Sequence, residues 1–164
     1  METLAACAPV YGASALLPHI HEILDSLKLE VFHAADASLE DAAIHSIRAV
    51  VGALNSGLTT SDGDPTERAL KPVVDQCATS LRDPDMKDAK QVGRILRAAA
   101  SASFPACHYT VDHIAPLVLK QYRETNMATL KKANVDIMID LLEACKSLYF
   151  EAPHQSKSFS FSTD

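Results

Sequence analysis

The sequence predicts an all-α fold, a HEAT/armadillo-like α-solenoid of about three helix pairs. The main observation is an apolar pattern with the spacing i, i+3, i+6, i+7, i+10, which marks one face of an α-helix and occurs three times, at offsets of 45 and 46 residues. The three copies are Ile44, Ile47, Val50, Val51 and Leu54; Ala89, Val92, Ile95, Leu96 and Ala99; and Val135, Met138, Leu141, Leu142 and Cys145. A shorter apolar segment with a central proline precedes each copy, at Pro18, Pro72 and Pro116. Because one helix pair cannot bury its apolar face alone, such a repeat indicates stacked pairs.

The predicted elements form one repeat segment, 1–149, and a tail. In chain order they are a partial helix at 2–12 and helix pairs at about 15–56, 64–103 and 110–149. Residues 150–164 are rich in Ser with isolated Phe, so we expect this tail to be disordered.

Local signals predict where the helices begin. Ser38, followed by two acidic residues, is expected to cap the second helix of the first pair, and Asp64 before Pro65 is expected to begin the second pair. Asn126 is expected to cap the last helix, which should run to residue 149, whereas 101–110 is interpreted as a weak connection. The repeated prolines are expected in early turns or at kinks, because a proline inside a helix costs about 3 kcal/mol or more.

The composition limits the classes of partner and compartment. The chain has 164 residues, 48% of them apolar, and a net charge of −6, which argues against direct binding to nucleic acid because that affinity comes mainly from clustered Lys and Arg. Four widely spaced cysteines, no signal peptide and no apolar run near 18 residues indicate a reducing compartment and no membrane partner. Cys77 and Cys145 fall on apolar helix faces, where a free thiol behaves as a small hydrophobe.

No pattern in the sequence predicts catalysis or a bound cofactor. Cys107, His108 and His113 are the densest group of potential metal ligands, but they lack the spacing of a metal site. There is no Gly-x-Ser-x-Gly elbow and no phosphate-binding glycine loop. We therefore expect no catalytic residue, no metal and no cofactor. One alternative from a different class is a stand-alone helical bundle that binds a small ligand, which would require the first and last apolar stripes to meet; equal offsets favour stacking instead.

Two charged rows are the candidate partner-binding residues. The basic row lies opposite the apolar face of the second long helix, and the acidic row lies at the equivalent register one repeat later. The residues are Lys87, Lys90, Arg94 and Arg97 in the basic row and Asp136, Asp140 and Glu143 in the acidic row. Such rows are usually a solvated face, but in a solenoid the second helices commonly line the surface used for protein partners.

Several segments, in unbroken order over roughly residues 3–148, resemble one known family. The segments include 81–87, 95–103, 42–47 and 114–122. They resemble the MMS nineteen nucleotide excision repair protein family of large HEAT-repeat proteins. The resemblance implies a non-enzymatic adaptor that brings cytosolic iron-sulfur assembly machinery to apo-proteins of DNA repair, replication and transcription, in the cytoplasm and nucleus. Its partners would be targeting-complex subunits and iron-sulfur client enzymes. Family members are several times longer, so the chain is expected to be an interior segment; a generic HEAT-repeat interaction module of another pathway is the alternative.

Overall fold

The computed structural model describes residues 1–55, 65–83, 86 and 88–150. These residues form seven α-helices, one 3-10 turn at Leu17–His19 and no strand, which confirms the all-α prediction. The helices are α1 (Glu2–Leu16), α2 (Ile20–His33), α3 (Ala37–Leu54), α4 (Pro65–Leu81), α5 (Ala89–Ala100), α6 (Phe104–Glu124) and α7 (Ala128–Tyr149).

The helices stack in two layers along the chain. In one layer α2 packs on α4 and α4 packs on α6, while in the other α1 packs on α3, α3 on α5 and α5 on α7. Within each pair the first helix packs on the second: α2 on α3, α4 on α5 and α6 on α7. This ordered stacking is that of an α-solenoid. Since neither α1 nor α3, both fully described, packs extensively on α7, the chain does not close into the alternative bundle.

The core consists of the apolar stripes of α3 and α5, as the repeat pattern predicts. Ile47, Val50 and Leu54 are buried on α3, and Ile95 and Leu96 are buried on α5. They pack against the inner faces of α2, α4 and α6 to form one continuous core.

The predicted register of the third stripe is wrong by one residue. Val135 and Leu142 are exposed, and the buried positions of α7 are instead Asn134, Ile137, Leu141 and Ala144. The pattern is ambiguous here because α7 carries apolar residues on two faces. Only one of these faces packs on α5 and α6, and the other is uncovered in the described part of the chain.

Two predicted caps and one predicted connection are also wrong. The N-cap of α3 is Asp36, whose carboxylate accepts the Leu39 N–H at 2.8 Å, and Ser38 lies inside the helix. An aspartate is as good an N-cap as a serine, and at this position its carboxylate satisfies one of the unpaired amides of the first turn. Met127, not Asn126, precedes the first residue of α7.

Most of the predicted connection at 101–110 is helical. Ser103 accepts the Ala106 N–H at 3.3 Å and so caps α6, which begins at Phe104 with a proline in its first turn. The predicted Asp64 cap lies outside the described residues, but α4 does begin at Pro65.

The apolar stretch Glu2–His33 corrects another expectation. By length and composition it is apolar enough to cross a membrane, although the sequence pattern indicated no such run. In the structure it is not one straight helix, because Gly12 has a φ of 70° and Pro18 lies in the 3-10 turn between α1 and α2. The equivalent prolines Pro72 and Pro116 lie inside α4 and α6.

Candidate partner-binding surface

Arg94 joins the basic row of α5 to α3. Its guanidinium is 2.5 Å from Glu40 Oε1 and also donates a hydrogen bond to the carboxylate of Asp41. Burial lowers the pKa of Arg94, but the two carboxylates outweigh this and raise it above its ordinary value. The two acidic residues that follow Ser38 near the start of α3 therefore bind a cation from the next repeat.

Arg97 joins the same row to α7. It forms an ion pair with Glu143 and lies 3.7 Å from Asp140 Oδ1. The structure thus brings together the predicted basic and acidic rows at these three residues. Because the side chain of Arg97 is 50% exposed, water screens these ion pairs, and they contribute less to folding stability than their short distances suggest.

The remaining members of the two rows have different surroundings. Asp136 pairs with Lys132 on its own helix, with 2.6 Å between Nζ and Oδ2. Lys90 is exposed and makes no ion pair with any described residue. Lys87 lies outside the described residues. Lys90 is therefore the described member of the basic row whose charge is available to a partner.

Gly93 on α5 makes room for the carboxylate of Asp140 on α7, a contact that the sequence analysis did not predict. It is buried on α5, and a Cβ at this position would collide with the Asp140 carboxylate. Glycine therefore lets the carboxylate approach the α5 backbone. Burial raises the pKa of Asp140, and the nearby Arg97 charge opposes this shift. The only sequence signal is a glycine inside a strongly periodic helix, which commonly marks a close packing contact.

Clefts separate the neighbouring second helices. The cleft between α3 and α5 measures about 290 Å³ and includes His45, Arg48 and Arg94 in its lining. A cleft of about 500 Å³ between α5 and α7 is lined in part by Lys90 and Asp140. Arg48 is exposed and, like Lys90, makes no ion pair within the described part of the chain. These open clefts with charged walls can receive side chains of a protein partner.

The described cysteines and histidines do not converge on a metal centre. Within these residues no group of three His, Cys, Asp or Glu side chains could hold an ion. The three residues of the densest sequence cluster point to different neighbours: Cys107 contacts a thiol on α7, His108 pairs with Asp112, and His113 bonds to the backbone of its own helix.

Comparison with known proteins supports the resemblance. No family model matches the chain. An MMS19 nucleotide excision repair protein homolog of Bos taurus is 25% identical over 152 residues, which cover 92% of this chain and 15% of the relative. The Homo sapiens homolog is 25% identical over 156 residues, covering 94% and 15%, and that of Xenopus laevis is 26% identical over 144 residues, covering 87% and 14%.

The chain is similar to a segment of the MMS19 homologs. This confirms the resemblance predicted from the sequence. The chain spans about 15% of the length of these curated relatives. The names of the MMS19 homologs state a role in nucleotide excision repair and no enzymatic activity.

Proposed function

We propose that the chain is a protein-binding scaffold segment of a repair-related adaptor. Two findings support this proposal: the stacked helix pairs of an α-solenoid and the similarity to MMS19 homologs over about nine tenths of the chain. Solenoids present extended surfaces to partners. The names of the relatives contain no enzymatic activity, which favours a non-enzymatic role.

More specifically, we propose that the adaptor delivers cytosolic iron-sulfur assembly machinery to apo-proteins of DNA repair, replication and transcription. Its partners would be targeting-complex subunits and client enzymes in the cytoplasm and nucleus. The family resemblance supports this assignment. The net charge of −6 argues against nucleic acid as a direct partner.

The arrangement of charges on the second helices carries the scaffold proposal. Arg94 and Arg97 pair with carboxylates on α3 and α7, whereas Lys90 and Arg48 project from the same surface without an ion pair to a described residue. We propose that these unpaired cations contact acidic side chains of a partner seated in the clefts. Such rim charges act mainly on association rate and specificity.

The test uses the full chain as bait in cell extract, with captured proteins identified by mass spectrometry. In one variant Lys90→Glu and Arg48→Glu reverse the unpaired cations. A matched variant, Arg68→Glu with Arg123→Glu, makes the same change of net charge on the other layer of the solenoid. We expect the first variant to lose captured iron-sulfur enzymes and targeting-complex subunits, and the second to retain them, with little change in melting temperature for either.

A second pair of variants separates binding from folding in the paired part of the row. Arg97→Glu alone removes the ion pair with Glu143, and adding Glu143→Arg restores it with reversed polarity. We expect Arg97→Glu to lower stability by under about 1 kcal/mol, since exposed pairs contribute little. If the unpaired cations bind the partner, as proposed, the exchange variant captures partners as the unmodified chain does. If Arg97 itself binds the partner, capture falls in both variants although the exchange restores stability.

Three results would contradict the proposal in different ways. If reversing the charges of Lys90 and Arg48 left capture unchanged, these cations would belong to an ordinary solvated face with no role in partner binding. Specific capture of proteins that include no iron-sulfur enzyme and no targeting subunit would indicate a HEAT-repeat interaction module of another pathway. No specific capture above an unrelated solenoid bait would refute the scaffold function itself.

A further inference from the structure

Two cysteine thiols meet where the helices of the last pair pack together. Cys107 on α6 and Cys145 on α7 are 38 residues apart in sequence, and their Sγ atoms are 3.5 Å apart. They lie in a small apolar cluster with Ala100 and Ala144, separate from the main core. All four cysteines of the chain are within the described residues and carry free thiols. Cys107 and Cys145 are the two that lie within hydrogen-bond distance of each other.

The two thiols differ in their access to solvent. Cys107 is 3% exposed, whereas Cys145 is only partly buried. Burial raises the pKa of Cys107 to about 12, and the hydrogen bond to Cys145 adds to this shift. Cys107 is therefore protonated at neutral pH and shielded from small oxidants. Cys145 is the thiol that an oxidant dissolved in water reaches first.

We propose that Cys107 and Cys145 form an oxidative modification site, at which a hydroperoxide converts the two thiols into a disulfide that ties α6 to α7. This inference goes beyond the scaffold function and does not depend on it. Its basis is the proximity of two sulfur atoms on different helices, one shielded and one accessible. A second thiol beside the first is also the arrangement that protects a sulfenic acid from further oxidation.

The reaction balances with hydrogen peroxide as the oxidant. In the first step the Cys145 sulfur attacks one peroxide oxygen, the O–O bond breaks, and the departing hydroxide takes the thiol proton to form water. Cys145 is then a sulfenic acid. In the second step the Cys107 sulfur attacks the Cys145 sulfur, the S–O bond breaks, and hydroxide leaves with the Cys107 proton as a second water. Two thiols have lost two electrons, and one peroxide has become two waters.

The native packing needs little change to accommodate the bond. A disulfide has an S–S distance of about 2.05 Å, so the sulfur atoms must approach each other by about 1.5 Å, which side-chain rotation within a partly open cluster can supply. The bond closes a loop formed by α6, α7 and their connection. Closing a loop of this length restricts the unfolded chain, and we expect the melting temperature to rise by roughly 5 °C or more.

The experiment treats the purified full chain with hydrogen peroxide under native conditions, blocks the remaining thiols and maps the peptides by mass spectrometry. We expect a peptide pair linking Cys107 to Cys145, the loss of two hydrogen atoms in intact mass, and full reversal by dithiothreitol. The melting temperature of the oxidised chain should exceed that of the reduced chain. A variant in which Cys7 and Cys77 are both alanine should give the same linkage, because it keeps only the proposed pair.

Two single variants isolate the two steps. In Cys107→Ala the first step should still occur, and dimedone should trap the sulfenic acid on Cys145; in Cys145→Ala, Cys107 should remain a free thiol. The proposal would be overturned if the unmodified chain linked Cys7 or Cys77 instead, or if Cys145 were oxidised to sulfinic acid while Cys107 stayed free. It would also fail if the linkage formed only in urea, since the native packing would then not bring the two sulfur atoms together.

Discussion

Two adjacent leucines on α7 provide a sharp test of the helix register. Leu141 is 2% exposed and belongs to the main core, whereas Leu142 is 63% exposed on the uncovered face. Truncation of a buried leucine to alanine costs about 2 to 5 kcal/mol through lost burial and the cavity that remains. We therefore expect Leu141→Ala to lower the melting temperature by roughly 5 to 20 °C, taking about 2 to 4 °C per kcal/mol for a chain of this size.

The same substitution at Leu142 should change stability by no more than about 0.5 kcal/mol, because little of its surface is lost from solvent on folding and alanine favours the helix. Urea denaturation followed by far-ultraviolet circular dichroism measures both variants against the unmodified chain. The repeat pattern of the sequence predicts instead that both leucines face the core. A large loss at Leu142, equal to or greater than that at Leu141, would refute the observed register and mean that α7 is rotated by about one residue.

Two further predictions concern a helix cap and a partly buried carboxyl. Asp36→Ala should cost about 1 kcal/mol because the Leu39 amide loses its acceptor, while Ser38→Ala should be nearly neutral; equal losses in urea denaturation would contradict the observed cap. Burial raises the pKa of Asp140, so the folded chain binds a proton at this carboxyl more tightly than the unfolded chain does. The contribution of Asp140 to stability should therefore rise as the pH falls from neutral toward the ordinary pKa of 3.8. The stability of the unmodified chain relative to Asp140→Asn should therefore increase over this range in parallel urea titrations, and a decrease would show that attraction to Arg97 outweighs burial.

The repeat pattern predicted the fold because two of its three copies describe helices enclosed by neighbours on both sides. On α3 and α5 each apolar position has a helix to pack against, so periodicity alone identifies the buried face. On α7 this reasoning fails. Val135, Ile139 and Leu142 form an apolar row as regular as the buried one, and only the tertiary contacts with α5 and α6 decide which row is inside.

The candidate surface was predicted as two rows of charge on successive second helices, but the sequence did not assign the individual ion pairs. Sequence register placed Arg97 and Glu143 on equivalent faces of successive second helices, which was sufficient to expect proximity. Three features depend on how the helices approach each other and leave little trace in the sequence. They are the contact of Arg94 with α3, the approach of Asp140 to Gly93, and the meeting of Cys107 with Cys145. All three join residues more than 35 positions apart, and a single sequence contains no signal that pairs these particular residues.

The intramolecular ion pairs of Arg94 and Arg97 reduce the affinity that a partner could gain from these two arginines. An acidic segment that binds Arg94 or Arg97 must displace carboxylates already held by the chain, so the gain in attraction is reduced by the loss of the intramolecular pair. Binding to Lys90 or Arg48 breaks no ion pair among the described residues. Because these exposed charges are screened by salt, with a Debye length of about 8 Å at physiological ionic strength, the attraction acts mainly at short range. Selectivity for an acidic partner would then come from the unpaired cations, while the packed core keeps the three second helices in register to present them.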